Sequence, residues 1–192
     1  MDRQHGFVRE ATESLEYLTS LLESGADLER VIDGYLEARR LLAKTFRNLA
    51  QAHLEPLNPV LDGVRMKVEG RMSELYGGRI PQQYLTLRKY GATHQLLAAY
   101  MFRQTGRPVS ASRLRLLTGD QVHTERRVRE LRDLGLSIEA GRVAGENQYI
   151  LASQEPNVDR GAKIQLTQNI RSSGLDSQAQ ARLLLAAGLP SA

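Results

Sequence analysis

The chain has 192 residues, 41% hydrophobic and 25% charged, enough for a packed core in one large domain or two small ones. It contains no Cys, which excludes disulfides, thiolate zinc sites and Cys nucleophiles, and its 5% of aromatics, without Trp, argues against single-strand binding by base stacking. The net charge of +4 is uneven: residues 1–80 carry −2, residues 81–152 carry +5 and residues 153–192 carry +1.

The first third reads as amphipathic helices. Phe7, Ala11, Leu15, Leu18 and Leu22 recur at helical spacing. Gly25 reads as a stop and Asp27 as the N-cap of a second helix, whose stripe runs Leu28, Ile32, Tyr35, Leu42, Phe46, Leu49 and His53. Pro56 and Pro59 break it, and a third stripe follows: Leu57, Leu61, Val64, Val68, Met72, Leu75. Three such helices with short joints predict a bundle or hairpin that packs as core or dimer interface. A Gly-rich composition break over GGRIPQQYLTLRKYG places a domain boundary near Arg79.

The middle segment alternates helix and turn signals. THQLLAAYMFRQTG predicts a helix that offers Leu96, Leu97, Tyr100 and Met101 to a core and ends at Gly106. Pro108–Val109 reads as extended. A second helix is capped by Ser110 and stopped at Gly119. A third, over 121–134, takes Asp120 as N-cap and Gly135 as its stop. Leu136–Ala140 and Gln148–Ala152 are β-prone and flank a Gly-bounded tip, Gly141 to Gly145, which predicts a hairpin with a loose turn over 136–152. The last forty residues open on the polar run SQEPNVDRG. Two short helices follow, roughly Ala162–Arg171 and Ser177–Ala187, with Asp176 capping the second.

Helix, short strand, helix, tight turn, helix and two-stranded wing is the order of a winged helix-turn-helix. The run RRVRELRDLGLSIEAGRVAGENQYILAS resembles the recognition helix and wing of many bacterial winged-helix proteins. Val128, Leu131, Leu134, Gly135, Ile138, Gly145, Tyr149 and Leu151 carry the likeness. It covers about sixty residues, near 90–152. It also resembles the DNA-reading module that precedes the nuclease domain in some HNH-type restriction endonucleases. The chain lacks the paired Cys and His-rich core of those nucleases. The expected fold is mainly α: a helical bundle or hairpin (1–79), a winged helix-turn-helix with a small antiparallel wing (80–153), and a C-terminal linker with short helices (154–192).

At 100° per residue, Thr124, Val128, Leu131 and Leu134 project to one side of the third helix, toward the core. The opposite side presents Arg126, Arg129, Glu130 and Asp133. In this motif the N-terminal end points at base edges, which makes Gln121, Val122 and His123 candidates there. Arg126 or Arg129 suits guanine and Gln121 suits adenine. Arg142 at the predicted wing tip, with Arg107, Arg113 and Arg115, suits phosphate. Ten of the eleven cations of residues 81–152 are Arg, whose planar fork fits both targets. The competing reading is that Glu125–Arg129 and Arg126–Glu130 are i,i+4 pairs that merely solvate the helix.

The four His are far apart in sequence, and no phosphate-loop, dinucleotide, nucleophile-elbow or zinc-protease motif occurs. The reading is therefore a double-stranded DNA binder that is not an enzyme and needs no cofactor or metal. Its expected role is transcription regulator, or specificity or accessory subunit of a DNA-processing system such as restriction or defence. The N-terminal helices would form a homo-oligomer or bind a protein partner. The alternative is a winged-helix scaffold subunit of a larger assembly. No apolar run is long enough for a membrane span, and the N-terminal run MDRQHGFVREATESLEY lacks the apolar stretch of a signal peptide. A cytoplasmic location, on the nucleoid when DNA-bound, is expected.

Overall fold

A computed structural model describes residues 2–57 and 59–190. The protein is mainly α. Among the described residues the order is α1 (Asp2–Glu23), α2 (Leu28–Leu54), α3 (Pro59–Tyr76), α4 (Ala92–Arg103), β1 (Val109–Ser110), α5 (Ala111–Leu117), α6 (Thr124–Asp133), β2 (Ile138–Val143), β3 (Glu146–Leu151), α7 (Val158–Arg171) and α8 (Ser177–Ala186). The strands form one antiparallel sheet in the order β1-β3-β2. N-terminal helices thus precede a small strand wing.

Several boundaries follow from capping chemistry. Asp27 accepts from the Arg30 N–H at 3.0 Å, Ser110 from Arg113 at 3.2 Å and Asp176 from Ala179 at 2.7 Å; each satisfies an amide the helix leaves unpaired. Asn157 does the same for Arg160 at 3.0 Å, so α7 starts at Val158, inside the expected polar linker.

Two further features differ from expectation. Helix α6 begins at Thr124 rather than 121, and Asp120 does not cap it. Asp120 has φ 55° and its carboxylate is taken by Arg39 of α2. The hairpin turn is tight, not loose: Val143 pairs with Glu146, leaving Ala144 and Gly145 at φ 50° and 83°. Two successive left-handed residues make the turn whose twist matches that of paired strands. In the run after α3, Ile80, Tyr84, Leu85, Leu87 and Tyr90 are all buried.

The helical hairpin of α1 and α2 closes through small side chains. Gly34, Ala38 and Thr45 are the buried positions of α2 that face this way, with Ala11 and Leu21 from α1. Most of the large apolar stripe on α2 points elsewhere: Leu28, Ile32, Tyr35 and Phe46 are exposed. Stripe α3, by contrast, packs as expected, with Leu61, Val64, Val68 and Met72 buried. They join Leu97, Leu114, Leu131, Leu134, Leu151, Leu166 and Ile170 in one continuous core.

Helices α6 and α7 meet at backbone distance. A Cβ on Gly135 would lie 2.5 Å from the Asn157 carbonyl oxygen, and one on Gly161 would lie 2.5 Å from that of Leu134. Both obstacles are main chain and cannot rotate away. We expect Gly161→Ala to destabilise by about 1–3 kcal/mol despite alanine's better helix propensity. Gly70→Ala, whose Cβ would meet nothing within 4 Å, should stabilise by about 0.5–1 kcal/mol. Urea unfolding midpoints of the two variants check both signs.

Candidate nucleic-acid interface

Helix α6 is held by its apolar face. Thr124, Val128, Leu131 and Leu134 are all at most 2% exposed, as their spacing predicts. The Thr124 hydroxyl donates to the Gln121 carbonyl (2.9 Å) and lies 3.0 Å from the Thr118 hydroxyl, which ties the helix start to the end of α5. Gln121, Val122 and His123 occupy the turn ahead of α6 and are exposed; Val122 is 80% exposed. The Gln121 amide oxygen accepts from the Thr93 hydroxyl of α4 at 3.2 Å.

The opposite face is less free than its sequence suggests. Glu130 is half-buried and gathers three donors: His94 Nε2 at 2.7 Å, Arg127 Nη1 at 3.0 Å and Arg126 Nε at 3.1 Å. Asp133 accepts from Gln168 of α7 at 3.1 Å. Neither acid is presented to solvent as expected. Glu125 does not pair with Arg129; it takes Arg115 of α5. Arg126 does pair with Glu130, at i,i+4, while its guanidinium stays largely exposed.

Among the described residues, Arg107, Arg113 and Arg129 are exposed and form no ion pair. Arg107 precedes β1, Arg113 stands on α5 and Arg129 on α6. Arg142 lies on β2, one residue before its end, and its Nε donates to the Gly145 carbonyl at 2.9 Å. The hairpin end therefore presents a fixed guanidinium. The α5–α6 pair and the hairpin thus carry every candidate except Arg107, which lies between α4 and β1, and Arg115 and Arg126 are engaged by carboxylates.

The residue that sequence reading missed is His94. It is 4% exposed, 36 positions from Glu130, and its ring meets Tyr90 edge-on at 5.1 Å. No local pattern links the two. Burial pushes the His94 pKa down, against the opposing pull of Glu130. Burial alone would raise the Glu130 pKa, but hydrogen bonds from His94 and Arg127 hold it below the usual carboxylate value. A carboxylate only accepts, so His94 donates to Glu130 through the proton on its Nε2.

Both groups hold protons less readily in the folded chain than in the unfolded one, so stability rises with pH across their range. The His94 contribution should be complete above pH 6.5 and fall as pH drops toward its lowered folded value. The Glu130 contribution should fall below pH 4.5. We expect the thermal midpoint to drop in two stages on acidification, and His94→Gln to remove the upper stage only. Circular dichroism melts from pH 7.5 to 4 would check this.

Residues 94–152 match the family model of the KpnI N-terminal domain, a restriction-endonuclease-related family. The match spans α4 to β3 and covers under a third of the 192 residues. No curated protein and no solved structure matches the chain. Among the described residues no group of three or more His, Asp or Glu is placed to hold a metal ion, and no helix is long and apolar enough to cross a membrane.

Proposed function

We propose that the chain binds double-stranded DNA through a winged helix-turn-helix formed by α4 to β3. Helix α6 enters the major groove, and the β2–β3 hairpin lies along the backbone as the wing. Its role is that of a regulator, or of a specificity or accessory subunit in a restriction-like DNA-processing system, without catalysis of its own. The observation that carries this reading is that Arg107, Arg113 and Arg129 are exposed and form no ion pair among the described residues, on the stretch that matches the restriction-related family, with Arg113 on α5 and Arg129 on α6, the helices that flank the exposed turn Gln121–His123.

Arg129 and Gln121 are the base-reading candidates, and His123 accompanies them at the tip. Arg107, Arg113 and Arg142 position the backbone. Arg115 and Arg126 are held by Glu125 and Glu130 and act mainly by orienting their helices. On this reading α1 and α2 associate with a second copy, because DNA half-sites related by a two-fold axis are matched by a two-fold protein. The exposed Leu28, Ile32, Tyr35 and Leu36 would form that surface. The same apolar face favours a second reading, a scaffold subunit whose partner is another protein.

Fluorescence anisotropy of a labelled duplex over a salt series separates them. The wild type should show a steep negative slope of log affinity against log salt. Each lost phosphate contact, as in Arg113→Ala or Arg142→Ala, should flatten it by about 0.9. Arg129→Ala should cost about 1–3 kcal/mol on a cognate site and far less on random duplex. No duplex binding at low salt overturns the DNA reading in favour of the scaffold. Sedimentation of the wild type and of Ile32→Asp tests association: a dimer dissociated by the substitution is expected.

A further inference from the structure

The N-terminal helices are acidic as a group, yet α2 is divided. Its first part carries Glu29, Asp33 and Glu37, whereas from Ala38 to Leu54 it holds no Asp or Glu and carries Arg39, Arg40, Lys44 and Arg47. Arg40, Lys44 and Arg47 follow at i, i+4 and i+7, one side of the helix. Like charges at such spacing repel and weaken a helix, so helix stability alone gives no reason for the row.

The row borders a cleft of about 370 Å³ that it shares with Gly119 and Asp120. These two residues lie in the turn between α5 and α6. The contact is close: a Cβ on Gly119 would lie 3.3 Å from the Ala43 carbonyl oxygen and 3.4 Å from Arg47 Cδ. Arg39 fixes the same turn through Asp120, with its Nε at 2.8 Å. Arg39 is thus used internally, while the other three remain available. Lys44 is exposed and rests with its Nζ 4.4 Å from the centroid of the Phe7 ring. Among the described residues Arg47 forms no ion pair, and Arg40 pairs only with the exposed Glu37, three positions before it on the same helix. Exposed pairs of that kind are weak and exchange readily for a stronger anion.

We propose that α2 supplies a second set of backbone contacts, in which Arg40, Lys44 and Arg47 take phosphates of the same duplex that α6 reads. The inference rests on the DNA-binding reading and extends its interface beyond residues 94–152 into the N-terminal half. Phosphates flank every base edge that a helix in the major groove reaches, and a cationic row docked beside the entering turn is positioned to meet them. Because the contacts are to phosphate, they add affinity and salt dependence but no sequence preference.

The test uses the full chain and a duplex salt series. The triple variant Arg40→Gln, Lys44→Gln, Arg47→Gln keeps helix propensity and removes the three charges. It should flatten the log-log salt slope by about 2.7, three contacts at about 0.9 each. The ratio of cognate to random-duplex affinity should stay unchanged. If the triple variant fails to melt cooperatively, Lys44→Gln alone should flatten the slope by about 0.9. An unchanged slope in a folded variant that still binds overturns this inference and leaves the DNA reading standing. A loss of cognate preference at constant slope overturns it as well. Absence of duplex binding by the wild type overturns both.

Discussion

The α5–α6 turn is the constraint on which the candidate interface depends. Gly119, Asp120 and His123 all sit at positive φ, at 73°, 55° and 70°. For Asp and His the left-handed region costs on the order of 1 kcal/mol or more, and it persists only where the surroundings over-determine it. Here they do. The Thr118 and Thr124 hydroxyls lock the helix ends to each other, the Asp120 N–H donates to the Arg115 carbonyl at 2.8 Å, and α2 holds the turn from outside through Arg39 and the Ala43 backbone. The turn compels Gln121, Val122 and His123 to project ahead of α6. A turn with ordinary φ values would lengthen the helix and draw these side chains into its first coil.

That geometry also explains where sequence reasoning held and where it failed. Local chemistry was legible: Asp27, Ser110 and Asp176 cap because their oxygens reach amides three residues on, and Val128, Leu131 and Leu134 are buried because their spacing puts them on one face. Asp120 fits the same rule and breaks it, since a guanidinium 81 positions earlier competes for its carboxylate. The α2 stripe was legible as a stripe, but its direction was not. Close packing of α1 on α2 selects Gly34 and Ala38, and this leaves Leu28 and Ile32 outside. The tight hairpin turn was hidden because alanine, not the usual asparagine or aspartate, stands at its first left-handed position.

Charge counting misleads for a related reason. Ten Arg in residues 81–152 suggest a broadly basic surface, yet the fold commits several of them. Glu130 engages Arg126 and Arg127, and Glu125 engages Arg115. A guanidinium whose partner is a half-buried carboxylate must break that pair to reach another anion, and the buried charge left behind makes the exchange costly. Arg107, Arg113 and Arg129 face no such cost. The arrangement of carboxylates, not the number of cations, therefore selects which Arg are available. The His94–Glu130 bond sharpens the selection by fixing the acid that holds two of them.

The stretch that matches the restriction-related family does not close its own core. Leu97, Leu131 and Leu134 lie in the same cluster as Val68 and Met72 of α3 and Leu166 and Ile170 of α7. Helix α6 is bounded on one side by α7, at the glycine pair Gly135 and Gly161, and the turn before it is bounded by α2. Each boundary is a backbone contact with no slack for a methyl group or only tenths of an ångström. A displacement of α2 or α7 must move α6 or open a void, and close-packed interiors resist both. The N-terminal and C-terminal helices are accordingly part of what aims α6. The exposed apolar residues of α2 stand on a helix directly joined to the turn that presents Gln121, Val122 and His123.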